Sequence, residues 1–147
     1  MSRKKNKIHT IIYSAFCGTG KSYLCKKYPD RYKELECWNY EYKKDGKFPA
    51  NYIDDIKKQI GNVQYLFIST NPVVLKQLHK EGIEIVLVYP DKSLKEEYMK
   101  RYCTRNDAYD FIGVMYKHWD DWLTELKEQN CCKRIILKSG QYLQDVL

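Results

Sequence analysis

The sequence predicts a three-layer α/β fold, a parallel five-stranded sheet with helices on both faces. Two observations carry this. Apolar, β-branched runs of strand length alternate with stretches of helical periodicity, a pattern that buries a parallel sheet between helices. The chain's 147 residues are one domain's worth and enough for a real core, so residues 1–147 read as a single domain with a basic tail over Met1–Lys7.

The elements follow in order. Ile8–Ser14 reads as the first strand and Lys21–Tyr28 as a helix with Leu24, Cys25 and Tyr28 on its apolar side. Pro29-Asp30 breaks that helix. Glu34–Trp38 reads as a short second strand, and the polar Asn39–Lys47 as a surface loop. Pro49 suits a helix start, with Tyr52, Ile53, Ile56 and Ile60 as its stripe and Gly61 as its end. Val63–Ser69 is the third strand. The helix after it buries Val74, Leu75 and Leu78 and stops at Gly82. Ile83–Tyr89 is the fourth strand, ended by Pro90. Asp91 or Ser93 caps a helix running to about Arg105, with Leu94, Tyr98 and Tyr102 as its stripe. Asn106 or Asp107 caps a longer one carrying Phe111, Ile112, Met115, Trp119, Trp122, Leu123 and Leu126. Cys132–Leu137 is the last strand and Gln141–Leu147 a short final helix.

Between the first strand and first helix stands Ala15-Phe16-Cys17-Gly18-Thr19-Gly20-Lys21-Ser22. It fits the phosphate-loop pattern G-x-x-x-x-G-K-[ST] with Ala15 in place of the first glycine. In such a loop the backbone N–H groups at Cys17, Gly18, Thr19 and Gly20 cradle phosphate, and the helix N-terminus adds its positive end. Lys21 reaches the outer phosphates and the Ser22 hydroxyl sits on Mg²⁺. The loop identifies ATP with Mg²⁺ as the expected ligand, and the fold as a three-layer P-loop fold. Ligands of such sheets lie at the carboxyl ends of the strands, which directs attention to Glu36–Asn39, Ser69–Pro72, Tyr89–Pro90 and Lys138–Gly140.

Composition sets bounds. No run of eighteen apolar residues exists, so a membrane span is not expected, and Ile8–Ser14 is too short for the apolar core of a signal peptide. Six cysteines without C-x-x-C spacing read as reduced thiols of a cytoplasmic protein; the adjacent Cys131 and Cys132 read as the start of a buried strand. The net charge of +7 suits an acidic partner, met by nucleotides as well as by nucleic acid; nucleic-acid binding through the tail stays open without being favoured. His9, His79 and His118 share no spacing that suggests a metal or a catalytic base.

Ile85–Pro90 followed by Leu94, Tyr98, Arg101 and Arg105 resembles the nucleoside monophosphate kinases, closest to small phage-type P-loop kinases of the adenylate-kinase-like class. The resemblance implies a helix whose R-x-x-x-R pair opens a mobile lid, and a loop after the last strand, here Ser139 and Gly140, lying against the nucleotide base. It implies phosphoryl transfer from ATP to a nucleoside monophosphate or similar small phosphorylated acceptor. Spacing of four places Arg101 and Arg105 on one helical face, so both guanidinium groups are expected to converge on one phosphate; the alternative is a solvated face with Glu97 paired to Arg101. The acceptor pocket is expected from Glu36–Tyr42, with Glu36 and Asn39 as candidate contacts, and the Pro49 helix. Two departures stand out. Many P-loop enzymes end the third strand with an aspartate, whereas Ser69 and Thr70 stand there, leaving Glu36, Glu41 or water to complete the metal site. No further lid arginine precedes Arg134, so the lid is short. A nucleotide-binding module without turnover and a polynucleotide 5′-hydroxyl kinase, which needs an acidic base, remain as alternatives.

Overall fold

A computed structural model describes residues 8–41, 46–130 and 132–147. The basic tail 1–7, residues 42–45 of the expected loop and Cys131 lie outside the described residues.

Five parallel strands, β1 (Ile11–Ala15), β2 (Tyr32–Leu35), β3 (Tyr65–Ile68), β4 (Val86–Pro90) and β5 (Lys133–Leu137), form one sheet in the order β2-β3-β1-β4-β5. Among the described residues seven α-helices accompany them: α1 (Lys21–Lys27), α2 (Trp38–Glu41), α3 (Ala50–Gln59), α4 (Pro72–Lys80), α5 (Lys95–Thr104), α6 (Tyr109–Lys127) and α7 (Leu143–Val146). Side-chain alternation divides the core. Ile12, Leu66, Ile68, Leu87 and Tyr89 face the layer built by α3, α4, α5 and α6. Tyr13, Ala15, Phe67, Val88 and Leu137 face Leu24 of α1 and Leu143 of α7. Trp119 of α6 is fully buried, with its ring edge-on to Phe16 at 5.7 Å.

Several expected boundaries shift: β1 starts at Ile11 rather than Ile8, and β4 spans Val86–Pro90 rather than Ile83–Tyr89. β2 lies at Tyr32–Leu35 rather than Glu34–Trp38, because Tyr32 pairs in register with Tyr65 and stacks on its ring at 4.9 Å. The chain then turns at once into α2, whose Tyr40 and Glu41 N–H groups bond to the Cys37 carbonyl at 2.9 and 3.1 Å, so the expected loop begins as a helix. α3 ends at Gln59, and Ile60, extended and 42% exposed, falls outside its buried stripe. Asn106 and Asp107 do not cap α6: Asn106 is left-handed (φ 60°), Asp107 pairs with Arg105, and Ala108 takes the cap position. Asp91 caps one turn of 3-10 helix, Lys92–Leu94, ahead of α5 by accepting from the Ser93 N–H at 2.9 Å.

One side chain ties the functional edge to this core. Tyr52 of α3 is completely buried; its hydroxyl donates to the Leu35 carbonyl and accepts from the Ser69 N–H at 3.1 Å, joining the ends of β2 and β3. Tyr52→Phe leaves both backbone groups without that partner, and unpaired buried groups cost about 1–3 kcal/mol. Urea denaturation should show a lower midpoint at unchanged slope, the signature of lost stability without a change in compactness.

Candidate active site

The phosphate loop leaves β1 at Ala15 and enters α1 at Lys21. Gly18 and Gly20 adopt φ values of 84° and 100°, open to glycine and strained for other residues. A Cβ on Gly18 would also stand 2.8 Å from the Tyr102 ring. Every carbonyl from Ala15 to Gly20 accepts a hydrogen bond. The donors are Lys21 Nζ to Ala15 (2.9 Å), Thr19 Oγ1 to Phe16 (2.8 Å), Tyr102 hydroxyl to Cys17 (3.0 Å) and Arg101 Nη1 to Gly18 (2.9 Å). The Leu143 N–H bonds to Thr19 (2.9 Å) and the Leu24 N–H to Gly20 (3.3 Å). In a planar trans peptide the N–H points opposite to the C=O. The Phe16 N–H is taken by the Val88 carbonyl at 2.9 Å, and the partners on the carbonyls fix the peptide planes of the turn and with them the directions of its other N–H groups.

Cys17, Gly18, Gly20, Lys21 and Ser22 line that cleft, a cavity of about 830 Å³. Thr19 is fully buried and acts as an internal brace. The carboxylate nearest the loop is Glu34 of β2. Its Oε1 accepts from Ser22 Oγ at 3.2 Å, and its Oε2 lies 3.6 Å from Lys21 Nζ. Both charged side chains are 14% exposed. Sequence reasoning looked to Glu36 or Glu41 for this carboxylate because it placed the strand two residues late. A hydroxyl and a carboxylate suit a hard cation such as Mg²⁺, which takes few protein oxygens and keeps water and phosphate ligands. These residues fit Mg²⁺.

Both arginines line the cleft, but their contacts differ. Arg101 is held by Gly18 O, by Gln141 O at 3.1 Å and by Glu97 Oε2 at 3.1 Å, with its guanidinium between the rings of Tyr98 (4.3 Å) and Tyr142 (3.9 Å). Its side chain is 10% exposed. Arg105, the C-terminal cap of α5, pairs with Asp107, lies 5.1 Å over Tyr102 and is 46% exposed at the cleft. The segment expected as a lid is the short turn 105–108.

The loop after β5 is held from α5. Ser139 Oγ donates to Glu97 Oε1 at 2.6 Å and the Gly140 N–H to Glu97 Oε2 at 3.1 Å. Gly140 lines the cleft, as does Tyr142, a residue that sequence reasoning left inside the final helix. Tyr142 packs against Gly20: a Cβ there would meet its ring at 3.4 Å. On the opposite side Glu36 lines the cleft with its carboxylate accepting from the Trp38 indole N–H. Asn39 is exposed on α2, and its neighbour Trp38 faces the cleft instead. Cys37 is buried, and burial, then the Glu41 charge, pushes its thiol up to about 12, which keeps it protonated and unreactive.

Against known proteins, no family model matches the chain and no curated protein matches it. Among solved structures it is similar to a gluconokinase from Sinorhizobium meliloti 1021, with a TM-score of 0.51 and 12% identity over 97% of this chain and 89% of that one. At that identity the likeness establishes the fold alone: a three-layer α/β P-loop fold with a five-stranded parallel sheet.

The hydrogen bonds from Ser139 and then from Gly140 hold the Glu97 carboxyl below its ordinary value of 4.5. A lowered folded value means the stabilisation is complete above pH 4.5 and is lost as pH falls through the folded value. The Gly140 amide resonance should therefore titrate with a midpoint below 4.5, and Glu97→Gln should abolish that titration.

Proposed function

We propose that the protein is an ATP-dependent phosphotransferase acting on a small acceptor. The observation that supports this best is the corner formed by Ser22, Glu34 and Lys21 beside a phosphate loop whose carbonyls all have partners. In this reading the N–H groups from Cys17 to Ser22 bind the phosphates of ATP. Lys21 swings from the Ala15 carbonyl to the outer phosphates, and Ser22 and Glu34 hold Mg²⁺. When bound, the metal neutralises charge that gathers on the β- and γ-phosphates. Arg105, exposed at the rim, meets the transferred phosphoryl group. Arg101 serves as a positioning residue that fixes Gly18 and presents the Tyr142 ring and Gly140 beside the nucleotide base. The nucleoside monophosphates implied by the resemblance are one acceptor class within this reading.

Lys21→Ala should weaken ATP binding by about 1.5–3 kcal/mol, the worth of a charged hydrogen bond, measured by calorimetric titration. Glu34→Gln should not weaken ATP binding without metal, since it releases Lys21 from its ion pair, and should raise the Mg²⁺ concentration needed for half-maximal ADP release. A coupled ADP-release assay over a panel of acceptors tests the reading as a whole. Tight ATP binding without acceptor-dependent release would make the chain a nucleotide-binding module instead.

Arg105→Lys keeps the charge and loses the planar fork, so it should lower turnover about tenfold or more, roughly 1.4 kcal/mol, with a much smaller change in ATP affinity. Steady-state kinetics against calorimetric affinity separates the two effects.

A further inference from the structure

A second cavity, of about 560 Å³, opens off the phosphate loop between the end of β3 and α6. It shares Cys17, Lys21, Trp38, Ser69 and Phe111 with the nucleotide cleft, so whatever occupies it lies next to the outer phosphates. Its size suits a small-molecule site. Its walls differ in kind from those of the cleft. Trp38, Phe111 and Trp122 supply aromatic faces, and Glu41 and Glu125 supply carboxylates. Among the described residues the one basic group on its wall is Lys21, which the phosphate loop already uses. Lys21 contributes +1 and the two glutamates −2, a balance of −1 for these groups. Lys100, Arg101 and Arg105 line the cleft and not this chamber.

We infer that the acceptor is a small uncharged ring compound with a free hydroxyl, of the sugar or nucleoside kind, rather than a monophosphate or a sugar acid. This rests on the phosphotransferase reading above. Aromatic faces stack on a sugar or base ring, and carboxylates accept hydrogen bonds from hydroxyl groups. A dianionic phosphate placed there meets like charge without a described cation of its own. Glu41 is already oriented for such a role, since its Oε1 accepts from Asn71 Nδ2 at 2.9 Å.

A hydroxyl acceptor, unlike a phosphate, must lose a proton. Glu36 lines the nucleotide cleft, and its carboxylate accepts from the indole N–H of Trp38, which lines both cavities. In the transfer the acceptor oxygen bonds to the γ-phosphorus while the bond from that phosphorus to the β–γ bridging oxygen breaks. ADP leaves with the bridging oxygen, and the hydroxyl proton passes to Glu36 and then to water. The products are a phosphate monoester, ADP and one proton.

The test is ADP release by the full chain with ATP and Mg²⁺ against four acceptor sets: neutral nucleosides, neutral sugars, nucleoside monophosphates and gluconate. At least one neutral compound should exceed its monophosphate or acid counterpart tenfold or more in kcat/KM, and the first two sets tell nucleoside from sugar. Trp38→Ala should raise KM for that compound tenfold or more with little change in kcat. Glu36→Gln should lower kcat about a hundredfold or more with little change in KM. A monophosphate or gluconate as the best acceptor overturns the inference and leaves the phosphotransferase reading standing. Tryptophan fluorescence, titrated with the same compounds in the presence of a non-hydrolysable ATP analogue, covers the case of no turnover. Quenching by neutral compounds alone supports the chamber's selectivity while the transfer reading fails, and no response to any neutral compound overturns the inference. Failure of ATP itself to bind overturns the phosphotransferase reading separately.

Discussion

Six consecutive carbonyls, from Ala15 to Gly20, each accept a hydrogen bond, and the site depends on that unbroken series. A glycine-rich turn left to itself samples many conformations, and ordering it on binding would cost affinity. Here the ordering comes from the fold. Tyr102 and Arg101 reach the loop from α5, more than eighty residues away, and Leu143 reaches it from the last helix. The Tyr102 hydroxyl that holds Cys17 belongs to a fully buried ring, and burial also holds its proton in place by raising the phenol. The loop is thus anchored to core elements, and its backbone conformation is set by the fold.

The same economy explains why Arg101 and Arg105 part ways. A spacing of four places two side chains on one helical face but does not decide what each meets. Arg101 falls opposite the loop, where two backbone carbonyls and the Glu97 carboxylate accept from its Nη atoms and two tyrosine rings cover its faces. Arg105 falls at the helix end, beyond the reach of those carbonyls, and stays exposed at the cleft. Arg101 is thus held by the fold itself, whereas Arg105 is held by Asp107 at the rim, and the proposed reading gives the phosphoryl group to Arg105.

Much of the architecture was legible because its signals are local. The strands β1, β3 and β4 are dense runs of apolar residues buried on both faces, and α3, α4 and α6 carry stripes at helical spacing. β2 was misplaced by two residues because it is an edge strand of mixed polarity, Tyr-Lys-Glu-Leu, whose register is set by ring stacking on Tyr65 rather than by its own pattern. That small shift hid Glu34. Tyr142 was hidden for another reason. Its place over Gly20 is set by the bond from Leu143 to Thr19, a contact spanning most of the chain, with no short-range signature in the sequence. The phosphate loop itself was legible because its chemistry demands particular residues at fixed spacing.

The absent strand-end aspartate then has a physical account. Ser69 stands in that position, and its hydroxyl accepts from the Cys37 N–H at 3.0 Å while its N–H donates to Tyr52. Tyr52 in turn holds the Leu35 carbonyl. The backbone on both sides of Glu36 is therefore fixed to β3 through one serine and one buried tyrosine. Glu34 and Glu36 line one cleft, as alternate residues along an extended chain do, while Leu35 between them packs against the opposite core. In the proposed reading the acidic functions have moved one strand outward. The carboxylate for the metal sits at 34 and the proton acceptor at 36, and Ser69 anchors the strand end that carries both.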